Sequence, residues 1–182
     1  GLFLYINDIF QFLPLAAVID NKIFCVHGGL SPKINYIGQI STIYRKKEAE
    51  LNLIEDLLYS IPENVPKFIV NRKYCGYYFG KNETLSFLYN NGLIKRSDKL
   101  VNDITKDHKR GFIIRSYECQ KEGFKWWHDN NLVSIFSAPN YMKKCNKAVF
   151  MKISDTHEYD FVEFYQDKSY INLDNSIIEY FA

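Results

Sequence analysis

Apolar positions fall along the chain in short clusters whose spacing changes several times. Leu4, Ile9, Phe12 and Leu13 share one helical face, and Pro14 ends that helix. Leu15 to Ile19 and Lys22 to Val26 are apolar runs joined by Asp20-Asn21, two residues that tolerate positive φ, so the pattern predicts a β-hairpin. From 34 to 58, apolar clusters alternate with polar stretches as in surface helices, and the charged run Arg45 to Glu50 reads as a solvated face. Pro62 and Pro66 bracket a loop, Lys67 to Val70 predicts a short strand, and Asn71 to Gly80 an aromatic loop. Glu83 to Asn91 predicts a helix closed by Asn91-Gly92.

Residues 94 to 111 are dominated by Lys, Arg and Asp and read as an exposed insertion, in which His108-Lys109-Arg110 suits either an anion site or a solvated loop. Phe112 to Ile114 predicts a buried strand, Ser116 to Glu122 a helix, and Leu132 to Phe136 a further buried strand. Trp126 and Trp127 read as core at a helix end, and His128 as a structural residue in a helix-to-strand connection. Ala148 to Ser154 and Tyr159 to Tyr165 predict an antiparallel pair, with His157 solvated in the turn between them.

Composition narrows the class. A chain of 182 residues that is 47% hydrophobic buries a real core and is one domain or a large piece of one. Its 23 basic and 21 acidic residues leave a net charge of +2, too little for a global field that draws nucleic acid or anionic lipid. Cys25, Cys75, Cys119 and Cys145 are widely spaced, without zinc-like pairs, and read as reduced, buried thiols of a cytoplasmic or nuclear protein. Asn7 and Asp8 interrupt the opening apolar run, so neither a signal peptide nor a membrane span is supported. The chain starts at Gly1 inside an apolar pattern and reads as part of a longer one.

Candidate chemistry gathers at strand ends. Ile23-Phe24-Cys25-Val26 drives into His27-Gly28-Gly29-Leu30-Ser31-Pro32; paired glycines allow positive φ or close approach while the preceding side chain stays exposed at the sheet edge. A histidine held there can bind a metal or pass a proton, and the same residues also suit a hairpin corner whose histidine merely hydrogen-bonds a loop. Ile114-Arg115 and Phe136-Ser137 end two further runs, each followed by a polar loop.

Together these blocks resemble a known family. Leu13-Pro14-Leu15-Ala16-Ala17, Ile23 to Pro32, Asp56-Leu57-Leu58-Tyr59-Ser60, Tyr78-Phe79-Gly80, Gly123 to Asn130 and Val133 to Tyr141 resemble, in order, the carboxyl-terminal half of calcineurin-like metallo-dependent serine/threonine protein phosphatases. The resemblance implies a mixed α/β (α+β) fold, part of a β-sandwich flanked by helices, and phosphate-monoester hydrolysis by two divalent ions (Mn, Fe or Zn) roughly 3.5–4 Å apart. It also implies a phosphoprotein substrate and a possible regulatory subunit, with neither nucleic acid nor membrane as partner. His27 falls on a metal-binding histidine, and Tyr141 on the tyrosine beside the metals at the substrate groove.

The departures from the family are specific. Its amino-terminal signatures Gly-Asp-x-His-Gly, Gly-Asp-x-x-Asp-Arg-Gly and Gly-Asn-His-Glu, which supply most metal ligands, do not occur. Where the family has Arg-Ala-His-Gln, this chain has Arg115-Ser116-Tyr117-Glu118, so Tyr117 stands at a metal-ligand position. Lys73 stands at a phosphate-binding arginine, keeping the charge without the planar fork; Arg72 is adjacent and can substitute if the loop shifts. Tyr59 replaces a tryptophan, Ile61 an aspartate, and Met142 a cysteine. These changes set an incomplete phosphatase against a catalytically silent, protein-binding relative, and His27, Tyr117 and Tyr141 are expected to converge on one hollow.

Overall fold

Asp20 and Asn21 take left-handed φ values of 49° and 52° and turn the chain between β1 (Ala16–Ile19) and β2 (Ile23–Val26), the hairpin that the sequence predicts. The computed structural model describes residues 1–45, 48–95 and 110–165. In chain order the further elements are α1 (Leu2–Phe10), α2 (Ile37–Ser41), α3 (Glu48–Tyr59), β3 (Ile61–Pro62), β4 (Ile69–Val70), β5 (Tyr77–Phe79), α4 (Lys81–Asn90), β6 (Phe112–Arg115), β7 (Phe124–Trp127), β8 (Leu132–Ile135), β9 (Ala148–Ile153) and β10 (Tyr159–Phe164).

The main sheet has the order β1-β2-β6-β8-β7. Its middle strands β2, β6 and β8 run parallel, while β1 and β7 pair antiparallel at the two edges. Parallel strands are covered on both faces, and the side chains divide accordingly. Ile23, Phe112 and Val133 pack with Met151, Ile153, Tyr159 and Phe161 of the β9–β10 hairpin. The Phe124 and Phe161 rings stack at 3.9 Å, a contact worth about 1 kcal/mol beyond its area. Phe24, Val26, Ile113 and Leu132 face the other way, onto Leu57 of α3 and Phe87 and Leu88 of α4. The result is the mixed α+β architecture anticipated from the sequence: two β layers with helices over one of them.

Several local expectations are corrected. Residues 116–122 form no helix: Ser116 N–H donates to the His27 carbonyl and Tyr117 adopts φ 77°, which ends any helical run at its first turn. The tryptophans therefore lie on a strand, β7, and His128 joins two strands at φ 53°. The loops assigned around Pro62 and over 71–80 contain β3 and β5, which pair in parallel within a small sheet of order β3-β5-β4. Pro62 fits because it closes an edge strand only two residues long. Arg45 is no solvated charge; its guanidinium donates to the carbonyls of Gln11 and Leu13. Lys46 and Lys47 lie outside the described residues. His157 is not solvated either, its ring lying 3.3 Å from Asp20 and 3.4 Å from Lys22. All four cysteines are free, but Cys75 and Cys145 are exposed rather than buried.

Helix α1 buries none of its residues, and Leu2 and Phe3 are each 75% exposed, so its expected inner face covers nothing among the described residues. The insertion read at 94 to 111 has buried ends at Leu93, Ile94, Arg110 and Gly111; residues 96–109, with His108 and Lys109, lie outside the described residues. A Cβ on Gly111 would lie 2.5 Å from the Lys22 carbonyl, and Arg110 donates to Asn131 at 2.6 Å. These ends therefore sit at the amino-terminal rim of β2, β6 and β8.

Candidate active site

The parallel strands β2, β6 and β8 end on one edge of the sheet, and the loop after each carries a candidate side chain: His27, Tyr117 and Tyr141. Such an edge, outside the carboxyl ends of parallel strands, is where open α/β sheets place their sites.

His27 is exposed and its Nδ1 lies 2.7 Å from the Leu58 carbonyl. A carbonyl only accepts, so Nδ1 carries a proton, and it is Nε2 that is left for a metal or a proton in transfer. The two glycines that follow provide close approach and not left-handed backbone: neither has positive φ, and a Cβ on Gly28 would lie 2.3 Å from the Leu58 carbonyl carbon. The Gly28 and Gly29 amides both donate to Leu57, at 2.8 and 3.2 Å, so the end of α3 and the end of β2 are locked together.

The Tyr117 ring lies 5.6 Å from His27 and meets the edge of Tyr59 at 5.5 Å. Burial, reinforced by Tyr59, Tyr74 and Glu118, pushes its phenol above the usual range, against an opposing pull from Arg115. Tyr117 is therefore a neutral phenol near pH 7 and a poor partner for a divalent ion.

Arg115, which the sequence marks as the end of an apolar run and the first residue of the block set against Arg-Ala-His-Gln, is the buried hub of this edge. It is 1% exposed and donates to the Gly28 carbonyl at 2.6 Å, Glu118 at 2.9 Å, and Ser134 and the Ser60 carbonyl at 3.3 Å. Burial depresses its pKa to about 10, offset in part by Glu118, and the group remains charged at neutral pH. A charged residue completing a strand of Phe and Ile was the available signal, because such a group is buried only when every donor has a partner.

Arg72 and Lys73 are exposed on a turn clamped by Asn71, whose Oδ1 accepts from the Lys73 and Tyr74 amides at 3.1 Å each. The Lys73 ammonium lies 5.1 Å from the Tyr74 ring, and Tyr74 in turn acts electrostatically on Tyr117. Tyr141 is 42% exposed, packs edge-on against Phe136 at 5.3 Å and has Lys144 5.8 Å from its ring. The structure thus brings His27 and Tyr117 into contact, while Tyr141 packs on its own loop. A hollow of about 460 Å³ is lined by Cys25, His27, Ile114, Arg115, Ser137 and Met151 among others; Tyr117 and Tyr141 do not line it. His128, read as structural, bonds Thr84 at 2.8 Å and the Glu63 carbonyl at 3.1 Å.

Among the described residues no three His, Cys, Asp or Glu side chains gather closely enough to hold an ion. One imidazole nitrogen and one neutral phenol do not fit a two-metal centre, and no step is derived through one.

Comparison with known proteins agrees with the fold. Residues 1–96 match a family model described as calcineurin-like phosphoesterase. The structure is also similar to a protein serine/threonine phosphatase from Saccharomyces cerevisiae, itself described as similar to human phosphatase PP5, with a TM-score of 0.66 and 23% identity over 87% of this chain. The chain spans 49% of that protein's length.

Proposed function

Because the chain belongs to the calcineurin-like phosphoesterase family, we propose that it supplies the carboxyl-terminal half of a serine/threonine phosphatase-type site that receives phosphoserine or phosphothreonine segments. The contact between His27 and Tyr117 at the shared edge of β2 and β6 carries this reading. In this reading His27 Nε2 would be this chain's own donor to a metal, Arg72 and Lys73 neutralise phosphate, and Tyr141 orients it. The remaining metal donors, whether for Mn, Fe or Zn, are then contributed by residues outside this chain, as in the family. A regulatory subunit and a cytoplasmic or nuclear location belong to the same reading; among the described residues no helix is long and apolar enough to cross a membrane.

A second reading, a pseudophosphatase that binds phosphoproteins without turnover, is favoured by Tyr117. A neutral phenol wedged between His27 and Tyr59 takes the place of an imidazole ligand. Phosphate release from a phosphoserine peptide with added Mn, by the full-length protein and by its Tyr117→His, Lys73→Arg double variant, separates the two. Turnover by wild type removes the second reading. Tight phosphopeptide binding without turnover by wild type supports it, and failure of phosphorylation to improve binding defeats both.

A further inference from the structure

The loop after β8 is built to project, and its tip is basic. Tyr141, Met142, Lys143, Lys144 and Cys145 are five consecutive exposed residues. They are held by two buttresses: Asn146, 5% exposed, accepts from the Tyr141 amide at 2.8 Å and donates to the Ala138 carbonyl at 2.8 Å, while Asn140 accepts from the Cys145 amide at 3.1 Å. Met142, Lys143 and Cys145 take φ values of 49°, 60° and 53°, a backbone that side chains of these types rarely adopt and that the asparagine bonds hold in place.

The charges on this tip are not balanced from within. Lys147, three residues on, is neutralised by Glu122 at 3.1 Å and Glu163 at 3.2 Å, and Lys81 pairs with Asp129. Among the described residues neither Lys143 nor Lys144 pairs with a carboxylate. Lys144 lies over the exposed Tyr141 ring, so the free charges adjoin the side chain assigned to the substrate.

We infer that Lys143 and Lys144 are specificity-determining residues that select phosphorylated segments flanked by acidic side chains. The inference rests on the phosphatase-type reading of the site and names its substrate class. A segment oriented by Tyr141 then lies beside the Lys144 ammonium that sits over that ring, and two ammonium groups on a rigid turn favour Glu or Asp over neutral side chains in its flanks.

The test measures binding of labelled phosphoserine peptides to the full chain by fluorescence anisotropy, with the residues flanking phosphoserine either all Glu or all Gln. Wild type binds the Glu peptide about fivefold more tightly at low ionic strength, and the difference vanishes near 1 M salt, where the screening length is about 3 Å. Lys143→Gln with Lys144→Gln abolishes the preference, whereas Lys152→Gln, an exposed lysine along β9, preserves it. Equal binding of the two peptides by wild type, or a preference that survives the double substitution, overturns the inference. An unphosphorylated Glu peptide separates it from the reading beneath it. If phosphate adds nothing while the Glu preference still depends on Lys143 and Lys144, the phosphate site fails and the acidic-segment site stands.

Discussion

Arg115 donates from Nε to the Gly28 carbonyl at 2.6 Å, so the backbone that sets His27 is fixed from beneath by a guanidinium with almost no access to water. The same group holds the Ser60 carbonyl, Ser134 and Glu118, joining the ends of β2, α3, β6 and β8. Replacement by Met leaves buried carbonyls without donors and Glu118 without its cation. Arg115→Met is expected to cost about 3–5 kcal/mol in urea unfolding, and Arg115→Lys to recover only part of it, since an ammonium cannot span four acceptors.

Gly28→Ala places a methyl 2.3 Å from both the Leu58 carbonyl carbon and oxygen. Backbone cannot yield as a side-chain tip can, so at least about 2 kcal/mol of stability is lost. The His27 Nδ1 bond to the same carbonyl is displaced with it. Imidazole NMR shifts of His27 in the folded fraction report that second effect separately from stability.

His128 makes stability depend on pH in a stated direction. Burial lowers its pKa below the ordinary 6.5, against weaker opposing effects from the Glu63 backbone and nearby carboxylates. Between the folded and unfolded values the unfolded chain binds more protons, so stability rises with pH across that window and is lost on acidification from about 6.5 downward. Urea midpoints measured on either side of that window fall in acid for wild type, and fall less for His128→Gln.

Helix α1 presents Leu2, Phe3, Leu4, Tyr5, Ile9 and Phe10 to solvent, with Phe12 and Leu13 beside it. A continuous apolar surface of this kind drives self-association. Light scattering is expected to show oligomers growing with concentration, and Phe3→Glu with Phe10→Glu to reduce them without lowering the unfolding midpoint, because neither ring is buried.

What the sequence revealed divides by the range of the forces involved. Asp20-Asn21, Asn91-Gly92 and the β9–β10 pairing are local matters of turn chemistry and alternation, and each is found where its residues indicate. Ser116 to Glu122 looked helical because its polar spacing permits a helix, yet the Ser116 amide is taken by His27, 89 positions earlier, a tertiary bond that no local pattern records. The role of Arg115 as a hub is hidden for the same reason, since its partners come from four separate segments. The edge carrying His27 and Tyr117 was legible from motif and strand ends together, whereas Tyr141's packing on Phe136 and Lys144 depends on a left-handed turn held by Asn140 and Asn146.

The stretch between Lys95 and Arg110 leaves and rejoins the fold beside Lys22 and Asn131, a full strand length from His27. A defect introduced at these anchors, such as a side chain on Gly111, is therefore borne first by the strand beginnings and reaches the imidazole only through the strands themselves.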